Sequence, residues 1–291
     1  MKLSQTRLNS VSERFNGEAE KKSLPRSPWV ACLRVAVVTA VSAFLLKMFV
    51  VEAFRIPSAS MERTLLVGDY VLVSKLAYGL RTPRRLPLTA TAASALKVAL
   101  LGAVNRGDVI VFDYPGAPNG GMTKARIPFV KRCVGLPGDT IQIREGCVIV
   151  NGTAVRFPPG PGQESNTNDA WWGPVVVPRA GMRIDLDAET VEDWRRVLEQ
   201  EGHTAAIAGD GSVLLDGRPA QSYTIGQDYY FVLGDNRGNS LDSRHWGFVP
   251  GDHVIGRAVL VYWSWDPRVP AGSLPDAFGR VRWNRVGTLI R

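Results

Sequence analysis

Histidine and cysteine are both scarce in this chain, three of each among 291 residues. Cys32, Cys133 and Cys147 form no C-x-x-C pair, and none stands at a ligand spacing from His203, His245 or His253. A zinc site needs such clustered donors, so no metal and no cofactor is expected. Cys133 and Cys147 could close one disulfide if the body of the chain is exported. Two small buried residues is the preferred reading. A long basic run is missing too. The net charge is +8, yet beyond residue 28 the basic residues are scattered, whereas a nucleic-acid binder carries them as a clustered stripe. Nucleic acid is therefore not expected as a partner. No internal repeat of useful period is found.

Residues 1–28 hold six Lys or Arg against three acids and have no apolar period. They read as a flexible basic tail. "WVACLRVAVVTAVSAFLLKMFVV", 29–51, follows. Its longest stretch without a charge, Val35 to Leu46, is only 12 residues. Arg34 and Lys47 stand near the two ends, where long cationic side chains can snorkel to an interface. With them the segment reaches the ~20 residues that span a bilayer, and a transmembrane anchor is expected. A cleaved signal peptide is the rival reading, through the small residues at 41–43. The long polar region ahead of the segment argues against it. The basic tail places the N-terminus in the cytoplasm and the remainder outside.

From Arg55 onward the texture changes. "YVLVSK", "GDVIVFDY", "PFVKRCVGLPGDTIQI", "GCVIVNG", "SVLLDGRP", "DYYFVLGDNRGNS" and "GRAVLVYWSW" are short β-type runs split by Gly, Asp and Pro. They predict a mainly β, antiparallel core. "LTATAASALKVALLGAV", 88–104, reads as a surface-lying or membrane-dipping insert, or a helix. "DAETVEDWRRVLEQEG", 187–202, carries Val191, Trp194, Val197 and Leu198 at helical spacing and ends in Gly202. "FPPGPGQESNTNDAWWGP", 157–174, reads as a loop. The expected organisation is a tail over 1–28, an anchor over 29–51, a β domain in two parts, 52–149 (with an insert at 80–104) and 227–291, and a smaller inserted α+β section over 150–226.

The chemistry centres on "PSASM". Ser58 and Ser60 would share a face if this stretch were extended. A serine nucleophile needs a base. No histidine has an obvious partner beyond a nearby Asp242 or Asp252, although a triad is spatial rather than sequential. Lysine is the other base, if burial lowers its pKa. In "PFVKRCVG" the alternation puts Phe129, Lys131 and Cys133 on one face. A solvated edge-strand lysine reads equally well from spacing alone. The third patch is "GDNRGNSLDSRHWGFVPGD", 234–252. It lacks the regular acids and late Glu of a calcium loop. An ion-pair network of Asp235 or Asp242 with Arg237 or Arg244 is the natural reading.

In order behind an N-terminal anchor, "PSASM", "GDYVLVSK", "KRCVGLPGD" and "GDNRGNSLDSRHWGFVP" resemble the bacterial type I signal peptidases, in blocks from about residue 50 to 265. The resemblance implies a Ser/Lys-dyad serine endopeptidase that removes signal peptides from exported preproteins at small residues. It implies Ser60 as nucleophile, Lys131 as general base, and Ser58 with the Ser60 backbone N–H as oxyanion hole. Ser240 would orient the lysine amine, and Asp242 with Arg244 would be a structural ion pair. One departure stands out, Arg63 where the family usually has proline. The expected partners are signal peptides and the lipid bilayer, and the expected state is a monomer. The expected location is the inner (cytoplasmic) membrane, single-pass, with the catalytic domain on the periplasmic or extracellular side. A conjugation-pilin maturation peptidase, a self-cleaving repressor and an inactive membrane-anchored binding homologue are the alternatives. The anchor disfavours the repressor, and the long last block disfavours the pilin enzyme.

Overall fold

The computed structural model describes residues 28–81, 97–98, 102–116, 127–157, 171–269 and 278–291. The chain separates into two units, Met1–Leu45 and Leu46–Arg291. In the first, helix α1 covers Pro28–Leu45. The second unit opens on a π-helical turn, Leu46–Val50. The described side chains of α1 are exposed on every face, Trp29, Leu33, Val38 and Phe44 among them. At 1.5 Å per residue α1 is about 27 Å long, against ~30 Å of hydrocarbon. Among the described residues no helix is long and apolar enough to cross a membrane.

The second unit is mainly β. Its strands are β1 Val51–Arg55, β2 Asp69–Ser74, β3 Leu80–Arg81, β4 Lys97–Val98, β5 Val109–Asp113, β6 Pro128–Gly135, β7 Thr140–Arg144, β8 Cys147–Val150, β9 Thr153–Val155, β10 Trp171–Val176 and β11 Arg183–Asp185. Helix α2, Val191–Gln200, separates these from β12 Ala205–Ile207, β13 Val213–Leu215, β14 Arg218–Pro219, β15 Ser222–Thr224 and β16 Tyr229–Leu233. The short helix α3, Ser243–Trp246, precedes β17 Val249–Pro250, β18 Val254–Ser264 and β19 Thr288–Leu289.

The main sheet runs β1-β2-β18-β5-β6-β16-β17, with β19 on β18. Every pairing is antiparallel. β5 is buried on both faces through Val109–Phe112, which is why it reads as a continuous apolar run rather than an alternation. Val109 and Val111 pack with Val71, Val73, Met61 and Val261. Ile110 and Phe112 pack on the opposite face with Cys133, Val232 and Trp246. β6 lies between β5 and β16, so Lys131 belongs to an interior strand rather than a solvated edge.

A second sheet, β10-β7-β8-β9, draws on strands before residue 150 as well as after it. Its inner face packs Ile141, Ile143, Val148 and Val150 against Val191, Val197 and Leu198 of α2. The helix begins at Val191 because Asp187 Oδ1 accepts from the Thr190 N–H at 2.8 Å and folds 187–190 into a turn. Glu192 and Asp193 then favour its positive N-terminal end.

Three expectations change. Residues 171–174, read as the end of a loop, belong to strand β10, Trp171–Val176, paired with β7, while 158–170 lie outside the described residues. All three cysteines are free: Cys133 is buried, but Cys147 is exposed, so no disulfide joins them and only one is a core residue. Of the 88–104 insert, 97–98 form a strand paired with Leu80–Arg81. Residues 88–96 and 99–101 lie outside the described residues.

Candidate active site

Ser60 and Lys131 are 71 positions apart and meet. Lys131 Nζ donates to Ser60 Oγ at 2.7 Å. Both residues are buried, at 8% and 4% exposure. The strand pairing explains the space that receives them. β16 pairs with β6 only as far as Leu233 opposite Arg132. Beyond that the chain leaves the sheet as Gly234–Asp235, and the Ser60 turn comes in beside Lys131. Ser58 is extended, but Ala59–Met61 forms a 3₁₀ turn, so the two serines are not on an extended face. The turn brings their hydroxyl oxygens to 3.5 Å. The Asn236 N–H donates to the Ser60 carbonyl at 3.1 Å, and Asn236 Nδ2 donates to the Ala59 carbonyl at 3.2 Å. Gly234 is needed for this approach. A Cβ there would lie 2.1 Å from Ser240 Oγ and 2.6 Å from the Ser60 carbonyl oxygen.

Burial pushes the Lys131 amine down to about 8, against the opposing pull of Asp242 and then Asp235. Lys131 Nζ also donates to the Val130 carbonyl at 3.1 Å and stands 5.4 Å from the Phe129 ring centre. An amine tuned to this range supplies neutral base near neutral pH, at hydrogen-bond distance from a hydroxyl.

The 234–246 loop is tied back to β16 by its own side chains. Asp242 accepts from the Gly234 N–H at 3.0 Å and from Arg244 Nε at 2.8 Å. Ser243 Oγ accepts from the Val232 N–H at 3.0 Å. The expected Asp242–Arg244 pair is therefore present and buried. Arg237 takes a different place, donating to the Gly234 and Phe157 carbonyls. Burial, and then the neighbouring Arg244, lower its guanidinium to about 10. Ser240 Oγ is buried and has no hydrogen-bond partner among the described residues, although it lies against Gly234. The histidines are engaged elsewhere: His203 with Asp216, His245 with the Asp242 N–H, and His253 with the Asp113 carbonyl.

The signal peptidase, peptidase S26 family model matches residues 29–263. The chain belongs to this family. It is similar to the signal peptidase I of Pseudomonas aeruginosa, 36% identical over 249 residues that cover 81% of this chain and 72% of that protein. It is 33% identical to the signal peptidase I of Pseudomonas fluorescens, again over 81% and 72% of the two chains. A solved signal peptidase I of Enterococcus faecalis V583 covers 53% of this chain and 95% of its own at 24% identity. Its TM-score of 0.29 is too loose an overlay to bear weight.

Two features of this signal peptidase family member differ from what its sequence suggested. Asp235 does not pair with Arg237 or Arg244. Its carboxylate takes a two-pronged contact from Arg132, Nε at 2.8 Å and Nη2 at 2.7 Å, with both residues buried. Thr64 joins the pair, its hydroxyl donating to Asp235 at 2.5 Å and accepting from Arg132 Nη2 at 3.0 Å. The signal was present: Arg132 follows Lys131 in a strand buried on both faces, so it needs a carboxylate within reach.

The second feature is Arg63. Its φ is +102°, and the Thr64 N–H donates to the Met61 carbonyl at 3.0 Å. With Glu62 at φ −52°, ψ 137°, Met61–Thr64 is a type II turn whose third residue needs positive φ. Proline is fixed near −65°, so the family's usual residue cannot occupy this turn. Arg63→Gly is expected to raise unfolding stability by about 1 kcal/mol. Arg63→Pro is expected to lower it by more than about 1 kcal/mol. Urea unfolding of both variants checks the pair.

Proposed function

We propose that the chain is a membrane-anchored serine endopeptidase that removes N-terminal signal peptides from exported preproteins. The observation that carries this reading is the 2.7 Å contact of Lys131 Nζ with Ser60 Oγ in a buried site, in a member of the signal peptidase family. Neutral Lys131 takes the Ser60 proton as Oγ bonds to the scissile carbonyl carbon. The oxyanion that forms is held by the Ser58 hydroxyl and the Ser60 backbone N–H; one such donor is worth ~10²–10³ in rate. As the C–N bond breaks, protonated Lys131 returns the proton to the leaving amine. An ester to Ser60 remains. Water, with Lys131 again as base, attacks the ester and releases the acid and free Ser60.

Helix α1 alone falls short of a span; what bears on the anchor is its exposed apolar side chains, Trp29, Leu33, Val38 and Phe44 among them, which a core or a bilayer would cover. From Val51, Ser60 is at most ~30 Å away along the chain, so cleavage would occur near the membrane surface, where a signal peptide's cleavage site emerges.

Incubating the full chain in detergent with a model preprotein tests the reading. The expected product begins directly after a small residue at −1, with another at −3. An uncut preprotein would overturn it. Ser240 has its own test. Its buried hydroxyl has no partner in the resting site, and we assign it the role of orienting the amine during the reaction. Ser240→Ala is expected to leave stability unchanged or raise it by about 1 kcal/mol, by removing an unsatisfied polar atom. The same variant lowers kcat by roughly tenfold or more. Thermal unfolding beside steady-state kinetics separates the two effects, and an unaltered kcat removes Ser240 from the mechanism.

A further inference from the structure

A cleft of about 480 Å³ shares no lining residue with the Ser60–Lys131 site. Arg55, Gly68, Tyr70, Trp265, Pro267 and Arg280 line it. The size falls in the ~300–1,000 Å³ range of small-ligand sites. Among the described residues it carries two guanidinium groups and no carboxylate. Arg280 stacks over the Trp265 ring at 4.7 Å, and its Nε is buried with no hydrogen-bond partner among the described residues. Of the described acids close by, two are already engaged. Asp266 takes Arg268 and Arg282. Asp69, next to Tyr70, takes Arg285 and Ser264. Two guanidinium groups in one cleft repel each other unless an anion lies between them. The planar forks suit the oxygens of a phosphate.

The apolar part of the lining, Tyr70, Trp265 and Pro267, suits a phosphate that carries an organic substituent better than a small hydrated ion. The surroundings suit a lipid surface. Tyr262 packs edge-on against Tyr70 and is 37% exposed. Phe278 and Trp283, on either side of Arg280 in sequence, are 66% and 59% exposed. Such rings collect at the headgroup level of a bilayer. Arg55 is ten residues from Leu45, no more than ~35 Å of extended chain.

We propose that this cleft binds the headgroup phosphate of an anionic membrane phospholipid, through Arg55 and Arg280. The source of the phosphate rests on the membrane-anchored reading above; the cleft itself does not.

Calorimetric titration of the full chain, held in an uncharged detergent, tests the proposal. The three titrants are dihexanoylphosphatidylglycerol below its micellar concentration, dihexanoylphosphatidylcholine and inorganic phosphate. Saturable one-site binding of the glycerol lipid is expected, at least about tenfold tighter than either of the others. Arg55→Gln with Arg280→Gln is expected to weaken it by about tenfold or more, and the Lys pair at the same positions to keep part of the affinity. Cleavage of a soluble peptide by every variant reports folding and the protease reading independently. A Gln pair that binds like the wild type overturns the proposal. Equal affinity for inorganic phosphate overturns the lipid assignment, and equal affinity for the choline lipid overturns the requirement for an anionic one. Intact lipid binding with no peptide cleavage would instead count against the protease reading alone.

Discussion

Lys131→Arg is expected to abolish cleavage of a preprotein while the protein stays folded, a loss of about 10⁴-fold or more in kcat/KM. Arginine keeps the positive charge and the hydrogen-bond donors but cannot be deprotonated in a protein. The variant therefore isolates the proton-accepting role from electrostatic or packing roles. Lys131→Ala, which removes bulk instead, and Ser60→Ala, which removes the nucleophile, are expected to fall to the same floor, because residues that act as a unit do not add. The wild type should also show a pH signature. Burial holds the Lys131 amine at about 8, and in the proposed mechanism the neutral form is the active one. So kcat/KM should rise about tenfold per pH unit below that value and level off above it. The arginine variant's residual rate should lack this limb. A wild-type profile that is flat between pH 7 and 9, or a Lys131→Ala enzyme within tenfold of wild type, would remove Lys131 as the base.

The setting of Lys131 was half legible, because a strand imposes a period of two. Phe129 and Cys133 flank Lys131 on one face, and both join one apolar cluster in the fold. Spacing alone could not say whether that face was wet. That depended on β16 lying against β6, a contact between residues about 100 positions apart. The seven β-type runs each hold a strand for the same local reason, the clustering of Val, Ile, Tyr and Phe between turn residues. What was not legible depended on three-dimensional neighbours. "DNR" and "DSR" suggested that each Asp pairs with an Arg nearby in sequence. That holds for Asp242 and Arg244, which share a capping turn at the start of α3. It fails for Asp235, whose partner comes from β6. Trp171 and Trp172 looked like loop because Gly and Pro surround them. They pair with β7 nonetheless, through a strand whose register shifts between Trp172 and Val175, around Gly173–Pro174. Arg63 could be marked as unusual from sequence, but only its φ shows that the turn itself differs.

The Arg132–Asp235 pair is where stability and catalysis meet. Arg132→Met is expected to cost about 3–5 kcal/mol of unfolding stability, because it leaves a buried carboxylate without its cation. The effect spreads through Thr64. Its hydroxyl bridges Arg132 and Asp235, and its carbonyl accepts from Arg285 Nη2 at 2.9 Å. Arg285 in turn pairs with the buried Asp69. The segment that follows Ser60 is thus held by two ion pairs, and Asn236, next to Asp235, holds the Ser60 carbonyl. Removing both charges, as Arg132→Met with Asp235→Leu, should cost less than either single change, since no unpaired charge stays behind. Urea unfolding of the four proteins closes that cycle. Activity supplies a second readout. An unpaired Asp235 pulls harder on the Lys131 ammonium, whose pKa it already raises, so the pH limb of Arg132→Met should move upward. In the double variant that pull is absent, and the limb should return to or below the wild-type position. A single variant within 1 kcal/mol of wild type, with its limb unmoved, would mean that the pair neither holds the fold nor shields the base.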